Sequence, residues 1–236
     1  SVVKVCELTV AATGLNEKAA QAAGLSYEKI VLSPLSHAGY YPGGKLMTMK
    51  VLYEKGSQRL LGAQIVGHEG VDKRIDVLAT AMQAGLPVTA LKDLDLAYAP
   101  PYASAKDPVN LVGFMAENLE QGVVKQFHWE DVAGLPRDGS VTLLDARTPG
   151  EYSGGCAEGF VNVPLDELRD RLGEIAPGKP VYVMCQSGLR SYLACRILAQ
   201  NGYDCYNFSG GYRFYESVLL DRWTRQNAYP CGVERP

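Results

Sequence analysis

Apolar and polar positions along the first half of the chain change period three times. Residues 1–12 alternate and predict a strand. Asn16 is a good helix cap, and a short helix is expected over residues 17–23, closed by Gly24. Three β-rich segments follow, at residues 30–37, 46–53 and 60–66. The second and third are joined by Glu54-Lys-Gly-Ser-Gln58, which has hairpin-turn chemistry. Residues 72–84 then repeat apolar positions at Ile75, Leu78, Ala79 and Met82, one face of a helix that Gly85 and Pro87 stop. Residues 93–108 carry prolines and no period, so they read as an ordered irregular loop. Asp107 caps a further helix, with Pro108 in its first turn, running to Leu119.

The second half has a different rhythm. Short apolar runs at residues 141–144, 160–163, 181–184 and 205–208 alternate with helical patterns at 149–152, 166–175, 191–199 and 214–220. Such alternation with short loops predicts a mostly parallel sheet covered on both faces. The fold class expected is therefore two domains: an N-terminal α+β unit with an antiparallel sheet and a C-terminal α/β unit. The boundaries expected are 1–118, a linker at 119–127, the second domain at 128–222 and an unstructured tail at 223–236.

Composition narrows the functional classes. A formal net charge of −3 leaves no basic surplus for nucleic acid or an anionic membrane as partner. No apolar run approaches a membrane span, and nothing resembles a signal peptide. The six cysteines (Cys6, Cys156, Cys185, Cys195, Cys205, Cys231) form no CxxC pair and no metal-ligand spacing, so no metal is expected and a reducing cytoplasm is the expected location. The start at Ser1, inside an apolar stretch and without Met, reads as a piece of a longer chain.

One stretch carries chemistry: Val181-Tyr-Val-Met-Cys185-Gln-Ser-Gly-Leu-Arg190-Ser. A buried strand ends at a cysteine, and a helix begins with no room for an ordinary loop. That turn gathers backbone N–H groups and a helix N-terminus around one point, an anion cradle with Cys185 as candidate nucleophile. Gly188 lets backbone approach a ligand, and Arg190 supplies a fork of donors for an oxyanion. The alternatives are a buried structural cysteine and an arginine paired with a surface carboxylate.

Leu144-Asp145-Ala-Arg147-Thr-Pro-Gly-Glu151-Tyr152, Gly159-Phe-Val-Asn162-Val-Pro164-Leu165, Cys185 to Ser191 and Ser209-Gly-Gly211 together resemble a rhodanese domain over residues 128–220. The resemblance implies a sulfurtransferase in which Cys185 accepts a sulfane sulfur as a persulfide. Gln186, Ser187, Gly188 and Leu189 would cradle it, and Arg190 would bind the donor's anion. Asp145 and Arg147 would support the loop as an ion pair. Cysteine, four residues, then arginine is the sulfurtransferase loop size; related phosphatases carry one residue more. Cys156 stands where the family usually has histidine, and reads as a resolving thiol or a small packed residue. Cys195 and Cys205 read as core.

Residues 1–118 resemble the dimerisation domain of flavin-dependent pyridine-nucleotide disulfide reductases, best the CoA-disulfide reductase branch. The matching stretches are 5–16, 37–43, 70–80 and 96–110. The resemblance implies a homodimer through residues 1–118, with Tyr40 and Tyr98 reaching the partner subunit's CoA–cysteine site, and Tyr41 and Tyr102 as alternatives in register. No GxGxxG occurs, so no cofactor is expected within the chain. FAD, NAD(P)H and CoA are expected for a full-length parent that reduces CoA disulfides or persulfides, with thiosulfate, CoA persulfide or polysulfide as sulfur donors. The alternative from another class is a non-catalytic docking or dimerisation module.

Overall fold

In a computed structural model, which describes residues 1–227, the chain forms an antiparallel and a parallel sheet, each of five strands among the described residues. The N-terminal elements are β1 (Val2–Val5), β2 (Leu8–Gly14), α1 (Glu17–Ala22), β3 (Tyr27–Leu32), β4 (Thr48–Glu54), β5 (Leu60–Gly67), α2 (Val71–Gln83) and α3 (Pro108–Glu120). The sheet order is β1-β2-β5-β4-β3, antiparallel throughout. Its inner face buries Ile30, Met49, Val51, Tyr53 and Ile65 against Leu78 of α2 and Val112 of α3. The expected single strand over residues 1–12 is instead a hairpin. Cys6 adopts φ 52°, a left-handed turn conformation that neither glycine nor proline announces. The strand expected at residues 30–37 stops at Leu32, because Ser33-Pro34 cannot continue the ladder.

The C-terminal elements are β6 (Lys125–Phe127), α4 (Trp129–Val132), β7 (Thr142–Asp145), α5 (Pro149–Ser153), β8 (Val161–Asn162), β9 (Val181–Met184), α6 (Leu189–Gln200), β10 (Cys205–Phe208) and α7 (Gly211–Asn227). The order is β6-β10-β9-β7-β8, all parallel. Leu144, Val181, Val183, Ala194 and Leu198 fill one side of this sheet, and Phe127, Phe160, Met184 and Phe208 the other. Three expectations change here. Lys125–Phe127, expected in the linker, is an edge strand. Residues 166–175 form turns and a short 3-10 segment at Leu172–Glu174, where Arg171 bridges Glu167 and Glu174, rather than a helix. Residues 223–227, expected in an unstructured tail, continue α7; residues 228–236, Cys231 among them, lie outside the described residues.

The two sheets meet at the edge of β3. The Val31 N–H donates to Ser209 Oγ at 3.0 Å, and the Ser33 hydroxyl donates to Gly210 O at 3.1 Å. Gln126 Nε2 donates to Lys29 O at 2.7 Å, and Lys29 pairs with Glu130 at 2.7 Å. Edge-strand groups that would otherwise face water are thereby paired by the second domain.

Arg74 holds the loops at the other end of the first domain. Its side chain is 1% exposed, and Nη2 donates to Asp107 Oδ2 at 3.0 Å and Ser36 O at 2.9 Å. Nη1 donates to Gly70 O at 3.1 Å. Asp107 in turn caps α3 through the Val109 N–H at 3.0 Å. Arg74→Met would leave the buried Asp107 carboxylate without its hydrogen-bonded cation, with only the more distant Lys73, 3.7 Å away, beside it. The expected loss is about 3–5 kcal/mol of stability, read by urea or thermal unfolding; a loss under about 1 kcal/mol would contradict this role.

Candidate active site

Cys185 follows β9 at the carboxyl end of the sheet, where open α/β sheets bind ligands. Its backbone is fixed on both flanks: the Ala146 N–H donates to Met184 O at 2.8 Å, and the Tyr212 N–H donates to Cys185 O at 2.7 Å. Gly188 has φ 100°, which reverses the chain so that α6 starts at once. The Gly188 N–H then points back at Cys185 Sγ, 3.1 Å away. Ser191 Oγ lies 3.2 Å from the same sulfur and 3.1 Å from Gly188 O. Gln186, Ser187 and Leu189 complete the loop, and the first turn of α6 directs its unpaired amides into it. Cys185 is buried at the floor of this cradle.

The 209–211 turn makes the loop possible. A Cβ on Gly211 would lie 2.5 Å from Gln186 O and 2.6 Å from Ser187 Cα, so only glycine permits this backbone contact. The Arg213 N–H also donates to Gln186 O, at 3.2 Å.

Beneath the loop, Arg147 and Asp145 form the buried pair that the sequence suggests. Arg147 Nε reaches both carboxylate oxygens at 3.0 Å and Nη2 reaches Oδ2 at 2.7 Å. The same guanidinium donates to Gly155 O at 2.7 Å and Gln186 Oε1 at 3.3 Å, and lies 4.0 Å over the Tyr212 ring. Every donor direction of Arg147 thus ends on protein.

Arg190 takes the second of the two arrangements that the sequence leaves open, a pairing with a carboxylate. Its Nη1 and Nη2 donate to Glu151 Oε2 and Oε1 at 2.7 and 2.6 Å, a bidentate pair. The Thr148 N–H and hydroxyl donate to the same carboxylate at 2.9 and 3.0 Å. Arg190 above all, and then Thr148, outweigh partial burial and hold Glu151 well below the usual carboxylate range, to about 2. Glu151, Ser191 and Tyr212 are the site residues that sequence reasoning missed. For Glu151 a signal existed: Thr148-Pro-Gly-Glu151 is a capping box, which fixes the carboxylate at the head of α5.

Tyr40 and Tyr98 form a separate cluster in the first domain. Their hydroxyls lie 2.7 Å apart, and this hydrogen bond, above all, raises the Tyr98 pKa. Tyr98 and Tyr102 line a cleft of about 430 Å³ with His37, Lys73 and Arg74. Tyr41 packs edge-on against His37. Cys156 is exposed beside Tyr152, whose pKa is raised by burial first and then by that thiol. Cys195 and Cys205 are buried, with Cys205 Sγ 3.2 Å from Cys195 O. Among the described residues no group of three His, Cys, Asp or Glu side chains could hold a metal ion, and no helix is long and apolar enough to cross a membrane.

Comparison with known proteins places both halves. Residues 1–108 match the pyridine nucleotide-disulphide oxidoreductase dimerisation domain, and residues 128–217 match the rhodanese-like domain. The chain is 47% identical to reduced Bacillus anthracis CoADR-RHD, with a TM-score of 0.90 over 94% of this chain and 40% of that one. The chain combines a dimerisation domain of the pyridine nucleotide-disulphide oxidoreductase kind with a rhodanese-like domain. An NAD-dependent persulfide reductase from A. fulgidus is 39% identical, with a TM-score of 0.81 over 91% of this chain and 38% of that one. A coenzyme A disulfide reductase of Staphylococcus haemolyticus is 40% identical over 119 residues, 50% of this chain. The chain spans 27% of that protein's length. The rhodanese domain thus contains the Cys185 loop, and the dimerisation domain contains the tyrosine pair.

The Arg190–Glu151 pair contributes stability above the ordinary carboxylate pKa. As pH falls from about 4.5 through about 2, Glu151 takes up a proton and that contribution is lost. Allowing for solvent screening, the loss is on the order of 1–2 kcal/mol. Urea midpoints measured from pH 6 to pH 2 should show the acid loss shrink in Glu151→Gln. An unchanged pH profile in that variant would contradict the assignment.

Proposed function

We propose that the chain is a sulfurtransferase that passes sulfane sulfur through a Cys185 persulfide, joined to the dimerisation part of a flavin-dependent CoA-disulfide or persulfide reductase. The observation that carries this reading is the Cys185 sulfur itself. It sits at a strand end with the Gly188 N–H and the Ser191 hydroxyl at hydrogen-bond distance and the α6 N-terminus beside it. Those donors favour negative charge on sulfur, as nucleophile and as persulfide product.

The transfer is two displacements. The Cys185 thiolate attacks the outer sulfur of a donor R–S–SH; the S–S bond breaks and R–S⁻ leaves, giving Cys185–S–SH. An acceptor thiolate then attacks that outer sulfur, takes it with its proton as a new persulfide, and the Cys185 thiolate returns. Asp145 and Arg147 act as positioning residues, because they tie β7 to the loop through Gln186. Thiosulfate, CoA persulfide and polysulfide are the donors of suitable chemistry.

In the whole protein, FAD and a nicotinamide cofactor would supply the electrons that release sulfide, on domains other than these two; the 236 residues hold no GxGxxG cradle. Residues 1–118 would pair two copies, and Tyr40 and Tyr98 would reach the partner subunit's CoA–cysteine site. The two hydroxyls lie 2.7 Å apart and either can be the donor, so the phenol whose hydrogen is not engaged in that contact is the one free to donate to a leaving thiolate. Sedimentation of the full-length protein should give a dimer, and a monomer would refute that assignment.

Sulfur transfer from thiosulfate or CoA persulfide to an added thiol should fall on the order of a thousandfold or more in Cys185→Ser. Transfer within about threefold of wild type would place the chemistry elsewhere.

A further inference from the structure

Resting on the sulfurtransferase reading, we infer that Glu151 sets the charge class of donor that Cys185 accepts: it occupies the Arg190 fork and so disfavours donors with an anionic headgroup next to the scissile bond, such as thiosulfate, relative to thiol persulfides on an uncharged arm.

Two guanidinium groups touch the loop or its first helical turn. Arg147 is spent on Asp145, on backbone carbonyls and on Gln186. Arg190 gives one N–H of each terminal nitrogen to Glu151, which neutralises its charge and leaves three of its five N–H groups outside that pair. Arg213 meets the loop through its backbone N–H, and its residue is exposed, where a cation is well screened. The two ion pairs cancel, so the reacting thiolate is left with the α6 N-terminus and the loop amides as its compensating charge.

Glu151 is not a loose surface partner that an incoming anion could push aside. Four hydrogen bonds fix its carboxylate, two from Arg190 and two from Thr148. Its residue and that of Arg190 are each only 32% exposed at the side chain. A sulfonate seeking the Arg190 fork would have to displace this carboxylate or lie against it. At separations of a few ångströms and an effective dielectric near 20, removing the one carboxylate charge while Arg190 stays charged changes the energy of a bound anion enough to change a rate by an order of magnitude.

The chemistry of the two donor classes differs in where charge sits. With thiosulfate, the Cys185 thiolate attacks the outer sulfur, the S–S bond breaks, a persulfide anion stays on Cys185 and sulfite leaves as a dianion; three negative charges share the site until sulfite departs. With R–S–SH, the same attack releases R–S⁻, and one negative charge is present at each stage. A cradle with neutralised arginines tolerates the second far better than the first. Exposed Leu189, next to Arg190 on the first turn of α6, presents apolar surface to an uncharged arm.

The test uses the whole 236-residue chain, with thiosulfate and N-acetylcysteamine persulfide as probes. The readout is the second-order rate of sulfur loading on Cys185, followed by intact mass. Glu151→Gln retains the capping-box geometry with Thr148 and removes the charge. The ratio of thiosulfate to persulfide rate constants should rise on the order of tenfold or more in that variant. A ratio within about twofold of wild type, with both donors still loading, would show that Glu151 only braces the loop and would overturn the inference. Wild type supplies an arm that needs no variant: it should load from the neutral-armed persulfide at least tenfold faster than from thiosulfate at low ionic strength, and the reverse preference would overturn the inference. If wild type loads from neither donor, the sulfurtransferase reading fails and the inference falls with it.

Discussion

Gly211 has no side chain, and so the backbone after β10 lies directly on Gln186 and Ser187. From that contact the amides of Tyr212 and Arg213 clamp the carbonyls of Cys185 and Gln186. The sharp strand-to-helix turn at Gly188 is therefore held from outside as well as by its own glycine. The residues just before this clamp, Ser209 and Gly210, bond to Val31 and Ser33 of the first domain. One turn thus shapes the reactive loop and docks the two domains.

Much of this was legible in the sequence because it depends on local rules. The change of hydrophobic period gave an antiparallel unit followed by a parallel one, and both sheets form as that pattern requires. Asn16 and Asp107 cap α1 and α3 because their side chains reach the amides that a helix start leaves unpaired. The failures were of two kinds. Residues 1–12 and 166–175 carry patterns compatible with a single strand and a helix. Left-handed Cys6, which neither glycine nor proline announces, and a run of turns ending in a 3-10 segment around Gly173 decided otherwise. The other failures were nonlocal: the parallel edge strand Lys125–Phe127 is strand only because β10 pairs with it.

The site followed the same division. Cys185, Gly188 and the Asp145–Arg147 pair lie within short motifs, and their arrangement follows from those spacings. What Arg190 binds could not be read from its own neighbourhood, because Glu151 stands 39 positions earlier, on another helix. The capping box fixes where Glu151 is, and the tertiary fold brings α6 to it. Arg190 is consequently part of a neutral, rigid rim rather than a free cation awaiting an anion.

Everything proposed for this site turns on Cys185 carrying sulfur as a covalent persulfide. Incubating the chain with excess CoA persulfide, removing the donor and recording intact and peptide masses tests it most directly. The account predicts one added sulfur, about 32 Da, on the Cys185 peptide, removed by dithiothreitol. Label confined to other cysteines, with Cys185 unmodified, would contradict it.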